Sequence, residues 1–286
     1  MSRTTDLARE EMSMATLVQL TGIFEGIASM RISQIKNQVL QSTKFFNELW
    51  AIYSQLDVDK SFRFGREQTA KAKDKDLLII ITAEGGFSGD IDLKLVNSML
   101  EDYDPAKNDI IVIGRHGATQ LDQHGVAYQK YFKMPSKDRN INVTPIIREV
   151  QQYRSTKLYY QEYVSLMVQD VKHIELSTAV KQRGDASQKP DEVINERTYI
   201  FEPSAHAVAA HLERSMMQIA VSQLILESKL AQYASRFRAM SASHDRADES
   251  RNDLRLAYNR AKRSAKDERL KEIINGLKKT KSGAGA

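Results

Sequence analysis

The longest stretch of this chain without proline or glycine is residues 204–275, which read SAHAVAAHLERSMMQIAVSQLILESKLAQYASRFRAMSASHDRADESRNDLRLAYNRAKRSAKDERLKEIIN. Apolar side chains recur in it every three or four positions, and this period predicts one continuous amphipathic helix. The stripe comprises Leu212, Met216, Ile219, Leu226, Leu230, Tyr233, Phe237, Met240, Ala247, Leu254, Tyr258, Ala261 and Ala265, with Gln223, His244 and Arg251 in its gaps. At about 1.5 Å per residue such a helix extends about 100 Å, far beyond the radius of gyration of about 19 Å expected for a compact chain of this length. The stripe therefore predicts a partner, which is either another long helix or other chains that enclose it.

The N-terminal end of the chain has a second stripe of the same kind. From Thr5 to about Leu56 there is no proline, and Gly22 and Gly26 are the only glycines. The 4-3 spacing is kept by Ile32, Ile35, Val39, Phe46, Leu49, Tyr53 and Leu56, interrupted only at Ser42, while Leu17, Leu20, Phe24 and Ile27 keep it one position out of step. The displacement predicts a stutter between two heptad frames, with Phe24 and Ile27 as packing residues.

Two such stripes at opposite ends of one chain predict an antiparallel coiled coil. The alternative is a pair of ordinary amphipathic helices in a large bundle. The length of the stripes favours the coiled coil, because an average helix has only about 11 or 12 residues.

The sequence between the stripes alternates buried strands with helices, which is typical of a small doubly wound, Rossmann-like α/β domain. We predict strands at residues 76–82, 109–114, 141–147, 157–164, 171–176 and 197–201, helices at 91–103 and 120–132, a glycine-bearing turn at 83–90 and an exposed loop at 182–195. In the first of these helices, Leu93, Leu95, Val96 and Leu100 are the expected core positions. The predicted domains are residues 1–60, an N-terminal coiled-coil helix; 61–203, the α/β domain; and 204–286, the C-terminal helix and its basic tip.

Composition limits the classes of protein to which this chain can belong. There are no cysteines, which excludes disulfides and thiolate sites, and no run of 18 apolar residues, as a membrane-spanning helix needs. A secretory signal is not expected, since the first twenty residues carry acidic side chains and no apolar core. The net charge is +5, and from Asp245 to the end 12 Lys and Arg stand against 7 Asp and Glu. A basic helical tip could bind nucleic acid, a membrane surface or an acidic protein that surrounds it. The simpler alternative is that these charges only form a solvated face of the helix.

No enzymatic motif is complete in the sequence. The Gly85-Gly86-x-x-Gly89 turn lacks the spacing of a P-loop or a dinucleotide site, and acidic residues flank it, so we expect a structural turn. The six histidines show no metal-ligand spacing, and Ser88 lacks the context of a hydrolase nucleophile. We therefore expect no catalytic residues, no metal and no cofactor.

Three stretches resemble the gamma subunit of rotary F-type ATP synthases. Residues 82–92, TAEGGFSGDID, resemble the family's strand-turn segment, and residues 199–204, YIFEPS, resemble its last strand before the C-terminal helix. In the long helix the resemblance is carried by Glu227-Ser228, residues 234–236, Ala239-Met240, the run Leu254-x-Leu-x-Tyr-Asn-Arg-Ala261, Glu272-Ile273 and Gly276. The chain departs from the family's usual pattern at residues 20–31 and again at residues 262–267, where positive charge is kept but a Gln and a Thr are lost. It is therefore identified as a divergent member.

The resemblance implies a central-stalk rotor that couples ion-driven rotation of a membrane ring to the conformational cycle of catalytic beta subunits, in ATP synthesis or hydrolysis. The implied partners are an alpha3beta3 catalytic hexamer, an epsilon-type subunit and the membrane c-ring, with one copy of this chain per complex and no nucleic acid. The implied location is peripheral, at the cytoplasmic face of a bacterial cell membrane, with the matrix side of an organelle membrane as the alternative. A basic coiled-coil scaffold or nucleic-acid adaptor with an inserted α/β domain remains the competing function.

The resemblance also assigns roles to individual positions. Residues expected to contact loops of the catalytic subunits are Tyr258, Asn259, Arg260, Lys262, Arg263, Arg251, Thr21 and Arg31. An apolar tip that turns in a bearing is expected at Leu270, Ile273, Ile274 and Leu277.

Overall fold

The computed structural model describes residues 3–55, 73–185, 202 and 204–283. Six helices and five strands lie in these ranges: α1 Arg3–Gln55, β1 Asp76–Ile81, α2 Ile91–Asp102, β2 Asn108–Ile113, α3 Arg115–Gln123, β3 Lys130–Phe132, α4 Thr144–Val150, β4 Thr156–Tyr163, β5 Gln169–Glu175, α5 Leu176–Asp185 and α6 Ala205–Gly283. The chain divides into two compact units, one of residues 1–27 and 239–286 and the other of residues 28–238. We call them the terminal unit and the central unit.

The central unit contains a five-stranded sheet with the order β3-β2-β1-β4-β5. All neighbouring strands are parallel except β4 and β5, which form an antiparallel hairpin. In β1 the side chains alternate between the two faces, so that Leu77, Ile79 and Ile81 join one core and Leu78 and Ile80 the other. The apolar run of β1 is buried because helices cover both faces.

The two cores of this sheet have different partners. The face that carries Leu78 and Ile80 packs against α2 and α3 through Leu95, Val96 and Leu121. The opposite face packs against α4, α5 and the two long helices, and its cluster includes Phe46 of α1 and residues 216–225 of α6. The predicted combination of long antiparallel helices with a Rossmann-like α/β domain is thus confirmed.

The central part of α6 is buried on nearly all sides. Residues 216–236 contain buried side chains at most positions, among them Met217, Leu224 and Ala231 outside the predicted stripe. One face of this segment meets α1 and the other meets the sheet. A helix enclosed in this way needs apolar residues all round. The single apolar stripe predicted from the sequence therefore includes only some of its buried side chains.

Both long helices extend as predicted. α1 begins at Arg3 and is continuous through Gly22 and Gly26, and α6 continues past Asn275 and Gly276 to Gly283. The Ser204 side chain caps α6, since its Oγ accepts a hydrogen bond of 3.2 Å from the Ala207 amide.

The predicted stutter in α1 is wrong. The inward positions form one unbroken 4-3 series: Leu7, Glu11, Met14, Val18, Thr21, Glu25, Ala28, Ile32, Ile35, Val39, Ser42, Phe46, Leu49 and Tyr53. Leu17, Leu20, Phe24 and Ile27 lie beside this series and are 37–45% exposed, so Phe24 and Ile27 are not seam residues. In this part of α1 small and polar side chains occupy the seam, so the spacing of the apolar residues alone indicates the wrong heptad frame.

Three further predictions within the α/β domain are wrong. Residues 120–132 are not one helix: α3 begins at Arg115, ends at Gln123, and is followed by Gly125 at φ +67° and by β3. Residues 141–147 are not a strand, because Pro145 lies in the first turn of the helix α4 and Val143, Ile146, Ile147 and Val150 bury their side chains at helical spacing.

The third error is Leu93, which is 44% exposed, whereas Met99 takes a core position of α2. The first four residues of the predicted loop at 182–195 belong to α5, and the rest of that loop and the predicted strand at 197–201 lie outside the described residues.

Candidate functional site

In the terminal unit the two helices meet through small and polar side chains. The His244 ring lies 3.0 Å from the Val18 carbonyl oxygen and 3.4 Å from the Thr21 hydroxyl, measured from Nδ1. The ring also lies beside Gly22, where a Cβ would be in ordinary van der Waals contact with it, 3.5 Å from Nδ1. Further along, the Arg251 guanidinium lies 3.4 Å from the Glu11 carboxylate. These contacts run in opposite directions along α1 and α6, so the pair is antiparallel.

The predicted partner-contact residues therefore lie in two environments. Arg251 and Thr21 face the seam between the helices: Thr21 Oγ1 donates to the Leu17 carbonyl oxygen at 2.8 Å as well as lying beside His244. The others in this unit are Asn259, Arg260, Lys262 and Arg263, which are exposed, and Tyr258, which is half-buried with the Lys262 ammonium 5.6 Å from its ring centre. Arg31 belongs to the central unit, where its guanidinium lies 3.5 Å from the Asp138 carboxylate.

The tip of α6 is uncovered in the described chain. From Lys262 to Leu277 every residue is exposed. The four predicted bearing residues Leu270, Ile273, Ile274 and Leu277 are 44–62% exposed.

An apolar surface on α1 is not among the contact residues predicted from the sequence. Met12, Leu17, Leu20, Ile23, Phe24 and Ile27, all in the terminal unit, are between 37 and 71% exposed. We call this set the α1 outer face. Four of these six residues, Leu17, Leu20, Phe24 and Ile27, are the apolar residues out of step with the seam, and from the sequence alone they predict a change of heptad frame instead of an outer face. Exposed apolar side chains that share one face of a helix are typical of a surface that another molecule covers.

A buried polar network joins α6 to the α/β domain at the carboxyl ends of the strands. The Asp92 carboxylate is 1% exposed and accepts hydrogen bonds from Gln161 Nε2 at 2.7 Å and from the Ala83 amide at 3.3 Å. Gln161 Oε1 in turn accepts from Ser228 Oγ and from Gln232 Nε2, both on α6. Because buried polar groups need partners and hydrogen bonds are directional, this network sets the position of α6 over the sheet.

The glycine-bearing turn is also bonded to α6. Ser235 Oγ donates to the Ser88 carbonyl oxygen at 2.7 Å, and the Arg236 guanidinium donates to the carbonyl oxygens of Gly86 and Gly85 at 3.2 and 3.3 Å. The turn therefore presents carbonyl oxygens to a helix, and this arrangement fits the predicted structural turn better than an anion site.

Sequence reasoning missed the network, although a signal for it exists. Ser228, Gln232 and Ser235 are spaced i, i+4 and i+7, which places them on one helix face. Their face is distinct from the apolar stripe. Within the residues that the structure describes, no group of three His, Asp or Glu side chains is placed to hold a metal ion.

His116 makes the network sensitive to pH. Its Nδ1 lies 3.0 Å from the Asp92 carboxylate, and this hydrogen bond raises the pKa of His116, while burial and the Arg236 charge lower it by less. A histidine whose pKa is raised on folding stabilises the fold below its unfolded pKa of about 6.5, and this stabilisation is lost as pH rises through the folded pKa.

We therefore expect the free energy of unfolding to fall between pH 6 and pH 8 by more in the native chain than in a His116→Gln variant. Since the ring is 36% exposed, solvent screening limits the difference to less than about 1 kcal/mol. Urea unfolding of both chains at the two pH values measures it. Equal pH dependence in the two chains would show that the pair has no such role.

Comparison with known proteins gives consistent matches along most of the chain. A family model described as ATP synthase matches residues 5–278. The ATP synthase gamma chain of Heliobacterium modesticaldum is 22% identical over 283 residues, covering 95% of this chain and 97% of that one. The ATP synthase gamma chain of Macrococcus caseolyticus is 26% identical over 214 residues, covering 69% and 71%.

Solved structures share the fold at low identity. A chain in the Euglena gracilis mitochondrial ATP synthase, OSCP/F1/c-ring, matches with a TM-score of 0.67 at 13% identity, covering 99% of this chain and 97% of that one. A chain in the Tetrahymena thermophila mitochondrial ATP synthase central stalk and c-ring matches with a TM-score of 0.54 at 15% identity, covering 78% and 98%. In the described part of the chain, no helix has the length and hydropathy to cross a membrane.

Proposed function

The chain belongs to the gamma-subunit family of the ATP synthases, and we propose that it acts as the central-stalk rotor that couples rotation of an ion-driven membrane ring to the catalytic cycle of three beta subunits. The family predicted from the sequence is thereby confirmed. The observation that supports the role most directly is the α1 outer face together with the uncovered tip of α6. Both are surfaces that a surrounding ring of subunits would cover.

The physical reason for such a rotor lies in the symmetry of its partner. Three identical subunits can differ in nucleotide affinity only if something asymmetric touches them. Moving a two-state element from 1:99 to 99:1 takes about 5.5 kcal/mol of differential contact free energy. Two helices bonded to each other can supply this differential contact free energy to the catalytic subunits. A flexible linker would bend instead and would transmit little of it.

In this proposal the terminal unit enters an alpha3beta3 hexamer. Its cationic and polar residues would meet loops of the catalytic subunits: Arg251, Tyr258, Asn259, Arg260, Lys262 and Arg263 from α6 and Thr21 from α1. Arg31, which lies on the part of α1 in the central unit, would add a further contact. Leu270, Ile273, Ile274 and Leu277 would form the apolar bearing. An apolar bearing suits a rotating part because it makes no directional hydrogen bonds with its sleeve.

The α/β domain would be seated on the c-ring and an epsilon-type subunit, with one gamma chain per complex. We propose the division at residues 1–60, 61–203 and 204–286, a peripheral location on the cytoplasmic side of a bacterial membrane, and catalysis by the partner subunits alone. The structures that share this fold come from an ATP synthase OSCP/F1/c-ring assembly and from an ATP synthase central stalk with its c-ring, and on that likeness these partners are proposed.

Assembly with a hexamer tests the function. We expect the full chain to co-purify with an alpha-beta hexamer at one copy per three pairs. A Leu20→Asp/Ile23→Asp variant is expected to lose at least about 100-fold in affinity, because each apolar side chain buried contributes about 1.5 kcal/mol or more. Leu93→Asp is the matched control, since Leu93 is a 44% exposed leucine of the α/β domain, and it should assemble normally.

The competing function has its own signature. A nucleic-acid adaptor would bind DNA with a steep dependence on salt concentration and would ignore the hexamer. That pair of results would refute the rotor.

A further inference from the structure

One carboxylate, that of Asp138, contacts both long helices of the central unit. Asp138 lies in the segment that joins β3 to α4, and it therefore belongs to the α/β domain. Its Oδ1 accepts a hydrogen bond from the Lys229 ammonium of α6, and its Oδ2 lies 3.5 Å from the Arg31 guanidinium of α1. The three elements of the unit thus meet at a single charged group.

Lys229 is an unusual residue for this position. Its side chain is only 6% exposed, in a segment of α6 that is otherwise apolar or bonded through polar groups. The ammonium also donates to the Pro135 carbonyl oxygen at 2.9 Å, so two atoms of the same segment hold it. Lysine is rarely buried this far unless it is paired, and removing Asp138 would leave the Lys229 ammonium buried without its counter-charge.

The apolar contacts around this charged group resist sliding less than they resist separation. Around the charged group, Ile32 and Ile35 of α1 and Leu226 and Leu230 of α6 form an apolar cluster, with Ile141 of the α/β domain packed against it. Apolar contact is non-directional, so it opposes separation of these elements more than it opposes sliding. A charged hydrogen bond depends on distance and angle, and it breaks when either helix shifts.

We propose that Asp138, Lys229 and Arg31 form a clamp that makes the α/β domain and the two helices turn as one body under load. The inference rests on the proposed rotor function. Lys229 and Asp138 are positioning residues in it, since they would act on the catalytic subunits only through the helices. The network at Asp92 joins α6 to the sheet, whereas the clamp also includes α1.

The test uses an assembled ATP synthase that carries this chain, reconstituted in vesicles. For Lys229→Met we expect ATP hydrolysis to continue while the coupling ions pumped per ATP hydrolysed fall about tenfold, which corresponds to about 1.4 kcal/mol. Lys229→Arg, which keeps the charge, should retain coupling. Lys94→Met is the matched control, because Lys94 forms an exposed pair with Asp90 at 2.8 Å, and such pairs contribute little.

A second pair of variants covers the case in which Lys229→Met fails to assemble. Lys229→Met/Asp138→Leu removes both charges, so that neither is left buried without a partner, and it should assemble with the same loss of coupling. In Asp138→Cys/Lys229→Cys, a short thiol cross-linker should restore coupling, because the cross-link replaces the ion pair between these two positions. The chain has no cysteine of its own, so the cross-linker finds no other thiol in it.

The results that would contradict the clamp differ from those that would contradict the rotor function. Unchanged pumping per ATP in an assembled Lys229→Met or Lys229→Met/Asp138→Leu complex would overturn the clamp, as would cross-linking without recovery. Failure of the native chain to join the hexamer would instead overturn the rotor function.

Discussion

Replacing Gly114 by alanine is expected to prevent the α/β domain from folding stably, with a loss of more than about 4 kcal/mol in the free energy of unfolding. Gly114 follows β2 at φ +98°, and a Cβ there would lie 2.0 Å from the Thr82 carbonyl oxygen. The chain cannot relax easily, because the Gly114 amide donates to the Phe132 carbonyl oxygen and Thr82 Oγ1 is bonded to the Ile113 carbonyl and the Gly117 amide. Thermal or urea unfolding of the purified chain measures the loss.

Gly26→Ala is the matched control for this substitution. Gly26 is an exposed position in the helix α1, and nothing lies within 4 Å of a Cβ placed there. Alanine should therefore stabilise the helix by about 1 kcal/mol. If Gly114→Ala unfolded at the same denaturant concentration as the native chain, the packing described at the end of β2 would be wrong.

The second large effect is expected at Phe46, which is 1% exposed and belongs to the core between the sheet and the long helices. Its ring stacks on Trp50 with 6.2 Å between the ring centres. Truncation to alanine removes these contacts and leaves a cavity, so we expect Phe46→Ala to cost about 3 to 5 kcal/mol in the free energy of unfolding.

The adjacent residue supplies the control. Phe45 is 55% exposed, and Phe45→Ala should change stability by less than about 0.5 kcal/mol. Urea unfolding of the two variants compares the same substitution on two faces of one helix. Equal losses would mean that α1 does not have the orientation seen here.

The elements that the sequence predicted well are those in which one local pattern is sufficient. The apolar runs of β1 and β2 are strands because only a doubly covered sheet buries such runs completely. No proline occurs anywhere in α6, so nothing ends the helix before its tip. Both signals depend on neighbouring residues in the sequence, and both were confirmed.

Local patterns failed where a distant residue sets the outcome. Residues 130–132 form a strand because β2 offers its free edge to them, and no periodicity within three residues can reveal this. Asp92 follows the glycine-bearing turn, and from the sequence alone its negative charge argues only against anion binding there. Its role depends on Gln161, 69 positions away, and on His116.

The sequence alone determined the two long helices, the alternating α/β domain between them and the family to which the chain belongs, because spacing along the chain encodes these properties. Only the tertiary structure decided which side of α1 faces α6. The seam there is made of Val18 and Thr21 rather than the larger apolar residues beside them, because the His244 ring lies at hydrogen-bond distance from the Val18 carbonyl oxygen and beside the Thr21 hydroxyl. That contact joins residues more than 200 positions apart, and as a result the larger apolar residues form the α1 outer face.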